Sequence, residues 1–333
     1  IEKKLFGNSK VTYENILLNE NLIFFVSFFN IKILNLIFSS IINKLKKYNN
    51  SNCIICYGLD LSAYIAARIA KTNKLKFFPT IINNPEINTR RLNKKLFSKL
   101  KWIRNKKIED FTLISSNKIR IIYKSTEQYL IKKKITNYEL IYSSINNNFF
   151  NVNFNYKLKE LNKIKLIYVG RLIENKNPMN IISSLTLNSH FHLTIIGNGN
   201  LKNKILKRIK KLQLTDKVKL IDNIDNWKLH SEIIKSDIFV SHTNFAEFPK
   251  TFLEALSTGI PIITNYNKNV PEFTDSKSLL IVKNTPEEYA SAINLLIKDK
   301  IKRETLGING KKYVKEELNI EKTEKKFLNF LIN

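Results

Sequence analysis

The sequence predicts an α/β protein built from two Rossmann-like, doubly wound domains that face each other across a cleft. Short apolar segments typical of buried strands alternate with segments of helical periodicity, a pattern typical of parallel sheets covered by helices on both faces. A polar stretch without periodicity, at 146–163, interrupts the alternation and is interpreted as an interdomain linker. With 333 residues, 43% of them hydrophobic, the chain is long enough for two domains, which we place at 1–150 and 151–333.

In the first domain the alternation predicts five strands and four helices. The strands are expected at 21–28, 53–57, 75–82, 111–115 and 138–142, and the helices at 31–48, 61–72, 90–109 and 125–134. The run 22–42 is apolar enough to be considered as a membrane span. Asn30, Lys32 and Asn35 interrupt it, however, so a buried strand followed by an amphipathic helix fits the run better.

In the second domain the alternation restarts and continues almost to the end of the chain. The strands are expected at 164–169, 192–196, 218–221, 238–241, 261–264 and 279–282. Helices are predicted between them, and one or two helices are predicted to close the chain from 287 onwards. In such folds a ligand binds at the carboxyl ends of the strands, so motifs that follow a strand are the candidates for a site.

The chain is strongly basic, with 56 Lys and Arg against 28 Asp and Glu and a net charge of +28. This charge has three interpretations: a general compositional bias, attraction to an anionic membrane surface, or nucleic-acid binding. We do not expect a nucleic-acid partner, because no recognition motif is present and aromatic residues are not interleaved with the basic runs.

Within the helix predicted at 90–109, the stretch 90–107 combines positive charge with an apolar stripe at helical spacing. Its basic residues are Arg90, Arg91, Lys94, Lys95, Lys99, Lys101, Arg104, Lys106 and Lys107, and its apolar residues are Leu92, Leu96, Phe97, Leu100 and Ile103, with Trp102 beside them. Such a helix can lie in the headgroup layer of an anionic membrane. We therefore expect a cytoplasmic protein that binds the inner membrane face peripherally; the alternative is that the stripe packs on the sheet of the first domain.

Several familiar ligand motifs are absent from the sequence. No phosphate-binding P-loop motif occurs, no Asp-x-Asp occurs, and the four histidines lack zinc-ligand spacing. We therefore expect no metal site and no bound cofactor.

Two segments of the second domain carry chemistry. In the first, a predicted strand delivers Gly170, then Arg171, with Lys176 five residues later. Glycine lets the backbone approach a ligand, and Arg and Lys both bind phosphate, so the segment predicts a metal-free diphosphate site. In the second, Glu247 and Glu254 lie seven residues apart after a strand, and paired carboxylates can hold sugar hydroxyls and stabilise a cationic centre. The alternative for both segments is an ordinary solvated turn.

These motifs resemble family 4 glycosyltransferases, which have the GT-B fold and retain the configuration of the transferred sugar. Gly170-Arg-Leu with Lys176-Asn is similar to that family's G-R-L-x-x-x-K-[GN] element, and the turn at Gly197 to its second glycine turn. The likeness extends over 155–333 and includes Phe248-Pro249, Glu254-Ala-Leu-Ser-Thr-Gly259, Pro261 and Val270-Pro-Glu272.

The resemblance implies the transfer of a sugar from a nucleoside-diphosphate sugar to a hydroxyl of a lipid-linked or saccharide acceptor. It also implies a role in the synthesis of glycolipid or of a surface polysaccharide such as lipopolysaccharide. Arg171 and Lys176 would bind the donor diphosphate and steady it as it leaves, and Glu247 would help to offset positive charge on the sugar. The other implied donor contacts are Gly170 and Gly197 at the approach, Glu254 at the ribose, and Asn269, Val270 and Glu272 at the sugar and diphosphate.

The sequence also departs from the family's pattern. Ala246 stands where the first of two spaced glutamates is usual, which shifts Glu247 by one position, and Asn83 and Asn84 replace a catalytic-type histidine. The opening strand with its glycine-rich acceptor loop is missing, so the first domain is expected to lack its first strand. These departures leave an alternative: a catalytically weak GT-B domain that binds a donor or serves as a partner subunit.

Overall fold

A computed structural model describes residues 53–82, 96–143, 145, 149, 154–158, 163–268, 270 and 277–332, with side chains in the long helix described from 102 onwards. The elements predicted at 21–28 and 31–48 lie outside these ranges, and so does the segment on which the expected lack of a first strand depends. Among the helices that are described, none combines the length and the apolar character needed to cross a bilayer.

The first domain contains a four-stranded parallel sheet in the order β1-β2-β3-β4. Its strands are β1 (Cys53–Tyr57), β2 (Lys76–Ile81), β3 (Ile119–Ile121) and β4 (Tyr138–Leu140). Its helices are α1 (Leu61–Thr72), α2 (Leu96–Ile114) and α3 (Glu127–Lys132), the last preceded by a 3-10 turn at Lys124–Thr126. The predicted bounds of β1 and α1 are confirmed residue for residue.

One prediction in this domain is wrong: residues 111–115 do not form a strand but end α2, and the strand comes later, as β3. Ile108 and Thr112 lie one helical turn apart and are both buried, and the Thr112 hydroxyl donates to the Ile108 carbonyl. Residues 111–114 therefore continue the helix, and Thr112 and Leu113 continue its buried face. The helix predicted over 125–134 is also shorter than expected, since the 3-10 turn takes its first residues.

The second domain contains a six-stranded parallel sheet in the order β10-β9-β8-β5-β6-β7. The strands are β5 (Ile164–Val169), β6 (Phe191–Ile196), β7 (Val218–Ile221), β8 (Ile238–Ser241), β9 (Ile262–Asn265) and β10 (Leu279–Val282). Each lies within one residue of its predicted position. The sequence was informative here because strands covered on both faces appear as continuous apolar runs.

The helices between these strands are α4 (Met179–Ser184), α5 (Lys202–Lys211), α6 (Asn226–Ile234) and α7 (Lys250–Thr258). Three helices, not one or two, close the chain: α8 (Pro286–Lys298), α9 (Lys300–Glu317) and α10 (Ile320–Ile332). A single residue, Asp299, separates α8 from α9. Its carboxylate accepts a hydrogen bond from the Lys302 amide and so caps α9.

The last helix, α10, returns to the first domain. The ring of Phe330 packs against Phe78 of β2, with ring centres 5.4 Å apart, and the Arg120 guanidinium lies 4.7 Å from the ring centre of Phe327. The boundary predicted at 150 falls outside the described residues and stays a prediction.

A second contact joins the domains beside the carboxyl ends of β3 and β8. The hydroxyl of Ser125, which follows β3, donates to the carbonyl of Ala246 at 2.5 Å. Tyr123 packs against the apolar cluster of the second domain that contains Phe248 and Phe252. The two predicted chemical segments of the second domain therefore lie next to a loop of the first.

Candidate functional site

The carboxyl ends of β5 and β6 approach each other closely at two glycines. The Gly170 amide donates to the Ile196 carbonyl at 3.0 Å. Gly197 has a φ of +156°, and a Cβ added to it would lie 1.9 Å from the Gly170 carbonyl oxygen. Only glycine therefore allows this approach, which places the backbone of both loops at the edge of the sheet where a ligand is expected.

The loop between β5 and α4, which carries Arg171 and Lys176, has its backbone held from two sides. The Tyr168 hydroxyl donates to the Lys176 carbonyl at 2.8 Å, and the Asn177 amide donates to Nδ1 of His242 at 3.1 Å. Burial lowers the pKa of His242 to about 4, so its imidazole is neutral at physiological pH and Nδ1 can accept this bond. The position of Lys176 is therefore fixed by the fold.

Arg171 and Lys176 lie beside the ring of Phe245. Their cationic groups are 5.8 and 5.5 Å from the ring centre, within the range of cation–π contacts. The two residues five positions apart are thus brought to one aromatic surface, as a shared diphosphate site requires. Arg171 is exposed, and no carboxylate of the described residues forms an ion pair with it.

Glu247 forms an ion pair with Lys176, with 2.7 Å between Oε1 and Nζ. The side chains of Lys176 and Glu247 are only 16% and 15% exposed, so solvent screens this pair less than a surface pair. Glu247 thus lies at the predicted diphosphate site itself.

Glu254 occupies a different place, on α7, where it is 3% exposed. Its Oε1 accepts a hydrogen bond from Nδ2 of Asn226 at 3.1 Å, and the Lys250 ammonium lies 3.9 Å away. Burial raises the pKa of Glu254, while Asn226 and Lys250 oppose that rise. A buried carboxylate held by one amide can accept further hydrogen bonds, as from ribose hydroxyls.

Two residues of the first domain, Tyr123 and Ser125, were missed by sequence reasoning. Burial raises the pKa of Tyr123, as does the nearby charge of Glu247, while Arg171 opposes the rise. The charges of both side chains of the second domain therefore act on the phenol, and its ring packs against the cluster that contains Phe248. No local pattern could have indicated this, because the contact joins residues more than 40 positions apart on separate sheets.

Two asparagines at the end of β9 also support the site. Asn265 pairs with both the amide and the carbonyl of Thr243, and Asn267 donates to the Phe245 carbonyl at 2.7 Å. Both amides are buried. They hold the loop that presents Phe245 and Glu247. The sequence feature that could have identified these two asparagines is their position just after the strand predicted at 261–264.

The remaining predicted residues are only partly described. Val270 is fully buried in the cluster of Phe248, so its side chain serves packing, and its backbone alone can border a ligand. Asn269, Glu272, Asn83 and Asn84 lie outside the described residues. Over the described ranges, no group of three or more His, Cys, Asp and Glu side chains is placed to hold a metal ion.

Sequence comparison relates this chain to glycosyltransferases. Residues 150–313 match the family described as glycosyl transferases group 1. An uncharacterized glycosyltransferase of Methanocaldococcus jannaschii is 29% identical over 185 residues, which cover 51% of this chain and 46% of that protein. The O-antigen biosynthesis glycosyltransferase WclY of Escherichia coli is 27% identical over 165 residues, covering 48% and 45%. These matches thus span less than half the length of the curated relatives.

Solved structures are similar over more of the chain. HepE of Anabaena in complex with UDP has a TM-score of 0.73 at 13% identity, covering 88% of this chain and 81% of HepE. A glycosyltransferase of Rickettsia africae has a TM-score of 0.71 at 17% identity, covering 96% and 83%. The predicted fold is confirmed: the chain has two parallel-sheet α/β domains in the GT-B arrangement.

Proposed function

We propose that this chain, which carries a group 1 glycosyl transferase domain over residues 150–313, transfers a sugar from a nucleoside-diphosphate sugar to an acceptor hydroxyl with retention of configuration. The observation that carries the proposal is the pair of cations, Arg171 and Lys176, held beside Phe245 at the carboxyl edge of the second sheet. Two cations next to a glycine backbone suit a leaving diphosphate, whose negative charge grows as the bond to the sugar breaks.

In this proposal each site residue has a distinct task. Arg171 and Lys176 bind the diphosphate and stabilise it as it departs, and Gly170 and Gly197 let the backbone come close to it. The positive charge that develops on the sugar is offset by the departing diphosphate, with Glu247 nearby. Glu254, oriented by Asn226, binds the donor ribose. No covalent nucleophile is assigned.

Relatives support the class of donor and acceptor. The solved structures of HepE include complexes with UDP and with UDP-glucose, which supports a nucleotide-sugar donor. WclY is named for O-antigen biosynthesis, which supports an acceptor in surface polysaccharide or glycolipid synthesis. The resemblance to family 4 supports retention.

Donor turnover tests the proposal and should not require a metal ion. The protein is assayed with a panel of UDP- and GDP-sugars to find the donor that it uses. Because the sequence has no Asp-x-Asp, we expect the release of nucleoside diphosphate from that donor to continue in EDTA. NMR of the product is expected to show a retained anomeric configuration. Activity that stops with EDTA and returns with Mn²⁺ would contradict this expectation. Tight nucleotide binding without turnover of any donor would favour the alternative of a donor-binding or partner subunit.

We also propose that α2 binds an anionic membrane surface at the cytoplasmic face. Trp102 and Ile103 are each 39% exposed, and the Lys106 ammonium lies 5.0 Å from the Trp102 ring centre. Further along the helix, Ile108 and Leu113 are buried. The C-terminal part of α2 thus packs on its domain, whereas the part around Trp102 presents apolar and cationic groups together. This arrangement supports membrane contact over the alternative that the whole apolar stripe packs on the sheet.

Liposome co-sedimentation tests this contact. The full chain is expected to sediment with anionic but not neutral vesicles, and binding should fall at high salt, since each basic residue near the surface adds about 1 kcal/mol at low salt. Replacing Lys106 and Lys107 by Gln and Trp102 by Ser should weaken binding several-fold. Lys210→Gln with Lys211→Gln, on exposed positions of α5, is the charge-matched control. Equal binding to neutral and anionic vesicles would show the membrane proposal to be wrong.

A further inference from the structure

The backbone is held in place on both sides of Glu247. Its neighbours Ala246 and Phe248 are 5% and 4% exposed. The Ala246 carbonyl also accepts the hydrogen bond from Ser125 of the first domain. With the backbone anchored on either side of residue 247, the Glu247 carboxylate stays within reach of Lys176.

Lys176 is equally constrained. Its carbonyl is bound by the Tyr168 hydroxyl, and its ammonium lies beside the Phe245 ring and 2.7 Å from Glu247. Arg171, beside the same ring, has no such ion pair among the described residues. Of the two cations at the site, one is therefore already neutralised by a partly buried carboxylate.

We propose that Glu247 and the donor diphosphate compete for the ammonium group of Lys176, so that Glu247 limits how tightly the nucleotide is held. This inference rests on the proposed function, because it takes Lys176 as a diphosphate ligand. The diphosphate brings negative oxygens to an ammonium that already holds a carboxylate, and each anion reduces the attraction that the other gains from this single positive charge. Glu247 must release Lys176 or bind it less closely when the nucleotide enters. The same competition speeds release of the nucleoside diphosphate, a step that limits turnover in many enzymes.

Titration of the full chain with UDP and with GDP tests the inference. Glu247→Gln keeps the shape of the side chain but removes its charge, and we expect it to tighten nucleoside-diphosphate binding about tenfold. The matched control is Glu174→Gln. Glu174 lies on the same loop as Lys176, but its side chain is 50% exposed and its carboxylate lies 4.0 Å from Lys204. We expect this control to change the affinity less than twofold.

A double-mutant cycle separates competition from simple repulsion. If Glu247 acts by occupying Lys176, then adding Glu247→Gln to a Lys176→Gln variant should tighten binding less than threefold. Tightening by threefold or more in that background, or no tightening in the parent, would overturn the competition. If the parent binds neither UDP nor GDP, the proposed function fails together with this inference. If the parent binds and Glu247→Gln binds no more tightly, the inference alone fails.

Discussion

Arg171→Ala is expected to weaken the binding of nucleoside diphosphates by about 1.5–3 kcal/mol, roughly a 10- to 150-fold loss of affinity. Arg171 follows directly after the glycine at the end of β5, and its guanidinium lies beside Phe245 with no ion pair to a described carboxylate. It can therefore offer a bidentate, charge-assisted contact to phosphate without first giving up another partner. Calorimetric titration with UDP and GDP measures the effect.

Lys176→Ala should also weaken binding, but less than Arg171→Ala does, because Lys176 is already paired with Glu247. A suitable control is Arg104→Ala on α2, which removes the same charge from the first domain, where the guanidinium donates to the side-chain oxygen of Asn105. Binding by Arg171→Ala that equals the parent's would mean that the diphosphate has been assigned to the wrong residues.

Gly197→Ala is expected to destabilise the protein by about 3 kcal/mol or more, among the largest effects of a single substitution. The new Cβ would lie 1.9 Å from the Gly170 carbonyl oxygen, and that oxygen belongs to backbone joined to the end of a central strand, which cannot turn aside as a side chain can. The φ of +156° adds strain for any residue with a Cβ. Nucleotide binding should fall too, since the same displacement moves the loop that begins at Gly170.

Thermal unfolding of the full chain measures this effect, with an expected fall in Tm of about 4–8 °C. Gly310→Ala is the control. There the nearest atom to the added Cβ is Cδ2 of Leu256, at 2.5 Å, which is the end of a side chain and not backbone, and alanine favours the helix in which Gly310 lies. We expect its Tm to fall by less than a third as much. A Gly197→Ala protein that melts within 2 °C of the parent would falsify the steric argument.

Local patterns were sufficient for most of the fold. Each strand of the second sheet was predicted to within one residue, because a strand buried on both faces is a continuous apolar run whatever its neighbours are. The prediction failed at 111–115, where an apolar run of strand length was the buried end of a helix instead. A run of this length cannot distinguish the two, and burial of Ile108 and Thr112 on one helical face decided it.

For the site, the amino-acid pattern was enough to identify the residues that follow the strands: Gly170, Arg171 and Lys176 after β5, and Glu247 and Glu254 after β8. Parallel strands bring their carboxyl ends to one edge, so nearness of the two segments followed from the pattern alone. The pairing of these charges depends on the folded structure. There Glu247 forms an ion pair with Lys176, Glu254 accepts a hydrogen bond from Asn226, and Tyr123 of the first domain packs against the cluster of Phe248. The physical reason is that an ion pair depends on side-chain positions to within about 1 Å, because the interaction is short-ranged in a hydrated protein. Those positions are fixed by packing between segments that are distant in the chain, and no local spacing encodes them.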